Sequence, residues 1–275
     1  MKQCILLSHV FIDKGVNPYD TGTQWYNGSN IQQMKIDQAN FSVEHFRKNN
    51  PDAYIIVTGH GIKPNKLNDY CDYVYWQDEL IKEDIGKGHP NLVNIGLNHA
   101  EQMGFSYIMK TRLDGVHLIR NIFDWCLDEI GDKLYLTTQA TSRTQLCLHD
   151  LFNFGSVEFM KKCWKINNEW INASSGLLPH AKNYLNLCSE DNWQDALKNN
   201  CVIKDLFTLK WIDFRGGTNW MELCNKKNEM LDNNLENYVK YIWGSSEGYF
   251  VWNENGDLVR HGGYEGEWAI EKNMI

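Results

Sequence analysis

Lys110, Arg112 and Asp114 stand at alternate positions near the end of the segment NLVNIGLNHAEQMGFSYIMKTRLDG, which runs from Asn91 to Gly115. In an extended chain residues i, i+2 and i+4 share one face, so this spacing predicts two cations and a carboxylate projecting together. Arginine offers a planar fork of donors and lysine a point charge, and both suit phosphate oxygens. Asp114 beside them suits a Mg²⁺ or Mn²⁺ ion bridging a diphosphate. The plainer reading is a turn, in which Asp114 caps the bend before Gly115 and pairs with Arg112 on the surface, an arrangement worth little energy.

The elements around the cluster decide where it projects. Leu92, Ile95, Leu97 and Met103 recur at roughly helical spacing from Asn91 to Met103, Gly104 is a natural helix stop, and residues 105–109 are aromatic and β-branched, a strand signal. The cluster therefore falls at the carboxyl end of a buried strand, where open α/β sheets place their ligand sites. Upstream, Cys4 to Phe11 is a near-continuous apolar run, the pattern of a first, central strand buried on both faces. Residues 13–33 are rich in Gly, Asn, Pro and Ser and read as a long loop. A helix from Met34 to Asn49 follows, then strands from Ala53 to Thr58 and Tyr73 to Trp76. Downstream come a helix from Ile122 to Ile130 and a strand from Leu134 to Thr138. An amphipathic helix from Val157 to Trp170, a helical stretch over 180–200 and a loose strand from Leu206 to Phe214 complete the pattern. Strands alternating with helices imply an α/β, three-layer sandwich with a mostly parallel central sheet. One domain spanning 1–275 is expected, less regular from about residue 225.

With 275 residues, 43% of them hydrophobic, the chain can bury a substantial core. A net charge of -8 argues against a general affinity for nucleic acid, which needs clustered Lys and Arg to release counterions. No apolar run approaches the ~20 residues that span a bilayer, so no transmembrane segment is expected. Met1 to His9 lacks the features of a signal peptide, so a cytoplasmic location is expected. The eight cysteines are scattered with no CxxC, which argues for free thiols rather than a zinc site. The many Trp and Tyr residues fill cores and also stack on sugar faces.

The helix, the strand and the Arg112-Leu113-Asp114 ending resemble the metal-binding corner of nucleotide-sugar glycosyltransferases of the GT-A fold. Within that group KTRLDG is most similar to the WavE-like lipopolysaccharide-synthesis family. A second stretch, His149-Asp-Leu-Phe-Asn-Phe-Gly-Ser156, resembles that family's loop after the following strand. The family's Asp-x-Asp stands here as Arg-x-Asp, so the first metal ligand is replaced by Arg112. The resemblance implies a divalent cation, Mn²⁺ or Mg²⁺, at Asp114, with Arg112 or Lys110 partly replacing the missing ligand electrostatically. It implies nucleotide-sugar contacts at Ser8 and His9, which end the first strand, and at Asn94 and Asn98 on the helix facing the nucleotide. Plain polar positions explain those residues too. An inverting transferase needs a carboxylate base for the acceptor hydroxyl. The resemblance points to the Glu190-Asp191 pair, with Asp150 as rival, while Ser189-Glu-Asp is also an ordinary helix start with Ser189 as N-cap. His261, in a Gly-rich tail, is a further candidate metal ligand.

There is no Walker P-loop, GxGxxG, GxSxG or HExxH. The expected activity is transfer of a sugar from a nucleotide-diphosphate donor to a glycan or lipid-linked acceptor. Two alternatives stay open. One is a glycan-binding protein on the same fold without catalysis, favoured by the missing first Asp. The other is a sugar-phosphate nucleotidyltransferase, disfavoured because the loop after the first strand, with Gly15, Gly22 and Gly28, has only Lys14 as a cation.

Overall fold

A computed structural model describes residues 2–10, 31–77, 85–138, 140–142, 145–148, 150–166, 177–190, 192–204, 208–209, 211–213, 249–252 and 258–261. The elements are β1 (Cys4–Val10), α1 (Ile31–Asn49), β2 (Tyr54–His60), α2 (Leu67–Tyr70), β3 (Tyr73–Gln77), α3 (Ile85–Gln102), β4 (Tyr107–Arg112) and β5 (Gly115–His117). Then come α4 (Ile122–Ile130), β6 (Tyr135–Thr137), β7 (Ala140–Ser142), β8 (Gln145–Leu148), β9 (Phe152–Ser156), α5 (Val157–Cys163), α6 (Leu177–Cys188) and α7 (Trp193–Asn200). The last are β10 (Cys201–Ile203), β11 (Trp211–Asp213), β12 (Tyr249–Trp252) and β13 (Leu258–His261).

Seven strands form one sheet in the order β10-β6-β9-β4-β1-β2-β3, parallel throughout except for β9, which runs antiparallel to both neighbours. The apolar run of β1 is explained by its two covered faces. Cys4 and Leu6 pack with Val93, Leu97 and Ala100 of α3, whereas Ile5 and Leu7 belong to the core that includes Ala39, Val43 and Phe46 of α1. Helices α1, α2 and α4 cover one side of the sheet, and α3, α5, α6 and α7 the other. The three-layer α/β sandwich with a mostly parallel sheet is thus as expected. Among the described residues no helix is long and apolar enough to cross a membrane. Six cysteines there, Cys4, Cys71, Cys126, Cys163, Cys188 and Cys201, are free thiols.

Four local expectations are corrected. The aromatic, glycine-containing stretch after Asp150 is not a loop but the interior strand β9, whose Phe152 and Phe154 alternate into the core beside α4. Helix α3 starts before Asn91, at Ile85, and holds Pro90 within its first two turns. The stretch 180–200 is two helices: Ser189 has φ 54°, and Asn192, not Ser189, caps α7 by accepting from Asp195 N at 2.9 Å. Helix α5 ends at Cys163, short of Trp170, and is capped by Ser156, whose Oγ accepts from Phe159 N at 3.1 Å.

Close approach of β2 and β3 depends on Gly59. A Cβ there would lie 2.2 Å from the Trp76 ring, and that indole is anchored by its Nε1 donating to Gly61 O at 2.7 Å. Gly59→Ala is expected to lower the unfolding free energy by about 1–3 kcal/mol through overpacking. Urea denaturation reads it, and an unchanged midpoint would mean that the ring swings out at no cost.

Candidate functional site

Between β1 and β4 the chain order of the sheet reverses, because β1 continues through β2 and β3 to one side and β4 lies on the other. In open α/β sheets, the crevice beyond the carboxyl ends of the strands at such a switch point is where ligands bind. Ser8, near the end of β1, is level with Arg112, the last residue of β4. Asp150 precedes β9, and because β9 runs antiparallel to β4, with Phe152 opposite Thr111, it arrives at the same end. Helix α3 precedes β4 on the far side of the sheet, so its amino-terminal turns also lie there.

At this junction Arg112 bridges two carboxylates. Its Nε and Nη2 donate to Oδ1 and Oδ2 of Asp114 at 3.0 and 2.5 Å, and its Nη1 reaches Asp150 Oδ2 at 3.5 Å. The expected turn pair therefore forms, but not on the surface: the Asp114 side chain is 7% exposed and that of Arg112 23%. His89, in α3, links the two strand ends. Its Nδ1 lies 3.3 Å from Asp150 Oδ2 and its Nε2 2.9 Å from Ser8 Oγ, while Ser8 Oγ also lies 3.5 Å from Thr111 O.

Lys110 departs from the expectation of a cation open to the cleft. It is fully buried, its Nζ donates to the backbone carbonyl of Asp150, and it lies 5.0 Å above the Trp164 ring. Burial depresses its pKa to about 7, with Arg112 acting in the same sense and Asp150 and Asp114 opposing. Beneath it Trp164 stacks on His180 at 4.3 Å, and His180 Nε2 lies 2.9 Å from the Tyr135 hydroxyl. His180 is held neutral, its pKa pushed down to about 3 by burial and then by the Lys110 charge.

The other expected site residues are spread more widely. Asn94 Nδ2 donates to Pro90 O at 2.9 Å and to Trp164 O at 2.6 Å, tying α3 to the end of α5 behind the cluster. Asn98 is exposed, about 13 Å further along the helix from His89 at 1.5 Å per residue, and thus away from the crevice. Glu190 accepts from Asn199 Nδ2 at 3.0 Å. Asn199 precedes β10, whose Cys201 pairs with Tyr135, and Tyr135 is level with Gly155 and Ile108. That is the opposite end of the sheet from Arg112. His9 and His261 lie in β1 and β13, with side chains outside the described residues, as are Asp191 and His149.

A divalent cation of the Mg²⁺ or Mn²⁺ type wants several oxygen ligands. Here both oxygens of Asp114 are engaged by the Arg112 guanidinium, Asp150 Oδ2 is shared between Arg112 and His89, and among the described residues no three His, Cys, Asp or Glu side chains form a ligating group. As folded, these residues do not fit the ion.

His89, Trp164 and His180 had no signal in the sequence as site residues. The nearest hint was the His89-Pro90 pair, which reads as a helix boundary but sits inside α3.

No protein-family model matches the chain and no curated protein does. Similar solved structures include a glycosyltransferase involved in the glycosylation of the major capsid of PBCV-1, with 12% identity and a TM-score of 0.45, covering 80% of this chain and 100% of that one. A putative nucleotide-diphospho-sugar transferase from Desulfovibrio desulfuricans G20 gives 8% and 0.45, covering 87% and 94%. The nucleoside-diphosphate-sugar pyrophosphorylase from Vibrio cholerae RC9 gives 9% and 0.45, covering 81% and 100%. At such identities and TM-scores these likenesses assign no chemistry to this chain.

Proposed function

We propose that the chain is a glycosyltransferase that moves a sugar from a nucleotide-diphosphate donor to a glycan or lipid-linked acceptor, of the polysaccharide or lipopolysaccharide type. The observation that carries this reading is the convergence of Arg112, Asp114, Asp150, His89 and Ser8 on the crevice at the switch point of the sheet. The KTRLDG resemblance to the WavE-like family points the same way.

In this reading Arg112, the partly exposed cation, meets the donor's diphosphate with its charge and with the two of its five N–H groups that Asp114 and Asp150 do not use. Lys110 is sealed behind Trp164 and acts by fixing the Asp150 backbone. Asp150 takes the proton of the acceptor hydroxyl as that oxygen attacks the anomeric carbon. The bond from that carbon to the diphosphate oxygen breaks, and the nucleoside diphosphate leaves with the electron pair. His89, bonded to Asp150 on one side and Ser8 on the other, holds the carboxylate in place. Glu190, at the far end of the sheet, takes no part.

Calorimetric titration with uridine, guanosine, cytidine and thymidine diphosphates tests the reading. One of the four is expected to bind, with Arg112→Ala weakening it by about 10–100-fold, the worth of a hydrogen bond to a charged group. No binding of any would sink the transferase and leave a glycan-binding protein in front.

A further inference from the structure

We infer that Arg112 is the built-in cation of this site, its guanidinium holding the place between Asp114 and Asp150 that a divalent cation would take, so that the protein works without one. This deepens the reading of the same site, but its test uses the protein and a metal alone, so either can fail without the other.

Three directions of the guanidinium are used on two carboxylates. Nε and Nη2 grip both oxygens of Asp114, and Nη1 reaches Asp150. A carboxylate as buried as that of Asp114 needs a partner to remain charged, and arginine supplies one that is always protonated. The partner also comes without a search: Arg112 and Asp114 are two residues apart at a strand end, so the chain itself delivers the cation. A metal ion would have to displace it.

Charge balance agrees. Two carboxylates match one divalent ion, and they equally match one guanidinium and one ammonium. Lys110 is that second charge when protonated, since it interacts with Asp150 and, less strongly, with Asp114, and donates to the Asp150 carbonyl. Adding a divalent ion beside the permanently charged guanidinium would place at least three positive charges against two negative ones in a part-buried pocket, which repulsion opposes. Removing Arg112 reverses the situation: the carboxylates that it bridged then border a vacated position, a pair of hard oxygen donors suited to Mn²⁺.

The test is titration of Mn²⁺ into the full chain, with the free ion followed by its electron paramagnetic resonance signal and the fold by circular dichroism. The wild type is expected to leave the signal at full amplitude. Arg112→Gln is expected to remove one equivalent of Mn²⁺ from solution, and Arg112→Gln with Asp114→Asn to restore it. Depletion of the signal by the wild type, abolished by Asp114→Asn, would overturn the inference. So would an Arg112→Gln protein with an unchanged spectrum that leaves Mn²⁺ free. If Arg112→Gln does not fold, the wild type and Asp114→Asn alone decide it.

Discussion

Stability is expected to fall by about 4 kcal/mol for each pH unit on acidifying from about pH 6 to about pH 4, and the protein to unfold within that interval. Three deeply buried histidines set most of the slope, and His60 and His99, whose pKa values burial also lowers, act in the same sense. His117 is fully buried against Phe46, Phe152 and Trp211, with Thr111 Oγ1 3.2 Å from its Nε2 and Leu209 O accepting from Nδ1 at 3.0 Å. His45 lies against the His117 carbonyl at 3.1 Å, and His180 lies between Trp164 and Tyr135. Burial lowers their pKa values from 6.5 to about 3 for His117, about 4 for His45 and about 3 for His180. Below 6.5 the unfolded chain binds three protons that the folded chain refuses, so stability rises with pH through this window and is lost as pH falls. Each proton contributes about 1.4 kcal/mol per pH unit, and a whole domain commands only about 5–15 kcal/mol. Circular dichroism against pH reads the transition, and His180→Phe is expected to reduce the slope by about a third. A midpoint below pH 3 would show that the histidines charge without unfolding the chain.

Lys110 extends the same slope upward. Its folded pKa of about 7 lies below the unfolded 10.5, so the unfolded chain again binds the extra proton between those values and stability keeps rising. The buried thiols turn it around: burial raises Cys4, Cys71, Cys126, Cys163 and Cys201 above the model-peptide value of 9.0, so from there upward the folded chain keeps protons that the unfolded chain sheds. The most stable range thus falls between about pH 7 and 9, above that of most small domains.

These groups also mark the limits of what could be read in the residues alone. Patterns that arise within one element were legible. The apolar run of β1 predicted burial on both faces and the Ile122 to Ile130 helix has the expected bounds, whereas the alternation of Lys110, Arg112 and Asp114 brought Arg112 to Asp114 but misplaced Lys110, which is buried away from the cleft. What was hidden depends on partners far along the chain. Nothing near Lys110 says that Trp164 and His180 will seal it, because the burial is assembled by α5 and α6. His89 was hidden by Pro90: a proline normally marks a helix start, yet α3 runs on upstream and those extra turns carry His89 over the strand ends. Phe152 and Phe154 alternate as a strand should, but Asn153 and Gly155 between them read as loop residues. Their place inside the sheet is set by pairing with β4 and β6. Glu190 and Asp150 look alike in sequence as candidate bases, and only the strand register separates them by the length of the sheet.

That separation gives the largest functional effect. Asp150→Asn is expected to lower kcat/KM for sugar transfer by about 10²–10⁴-fold, the range for loss of a positioned base. The amide keeps the shape of the carboxylate, and its backbone carbonyl still accepts from Lys110, so the loop is expected to hold its position. What goes is the charge that Arg112 and His89 face at 3.5 and 3.3 Å and the acceptor for the hydroxyl proton. Glu190→Gln is the matched control: bonded to Asn199 at the other end of the sheet, it is expected to change kcat/KM by less than about twofold, as a surface substitution does. Donor affinity separates a base from an anchor. If Asp150→Asn loses turnover while the nucleoside diphosphate binds within a few-fold of wild type, the carboxylate acts on the acceptor. If binding collapses by the same factor as kcat/KM, its work is to hold Arg112 for the diphosphate, and the base lies elsewhere. Full activity in Asp150→Asn with loss in Glu190→Gln would reverse the assignment, and with it the placing of the reaction at the switch point between β1 and β4.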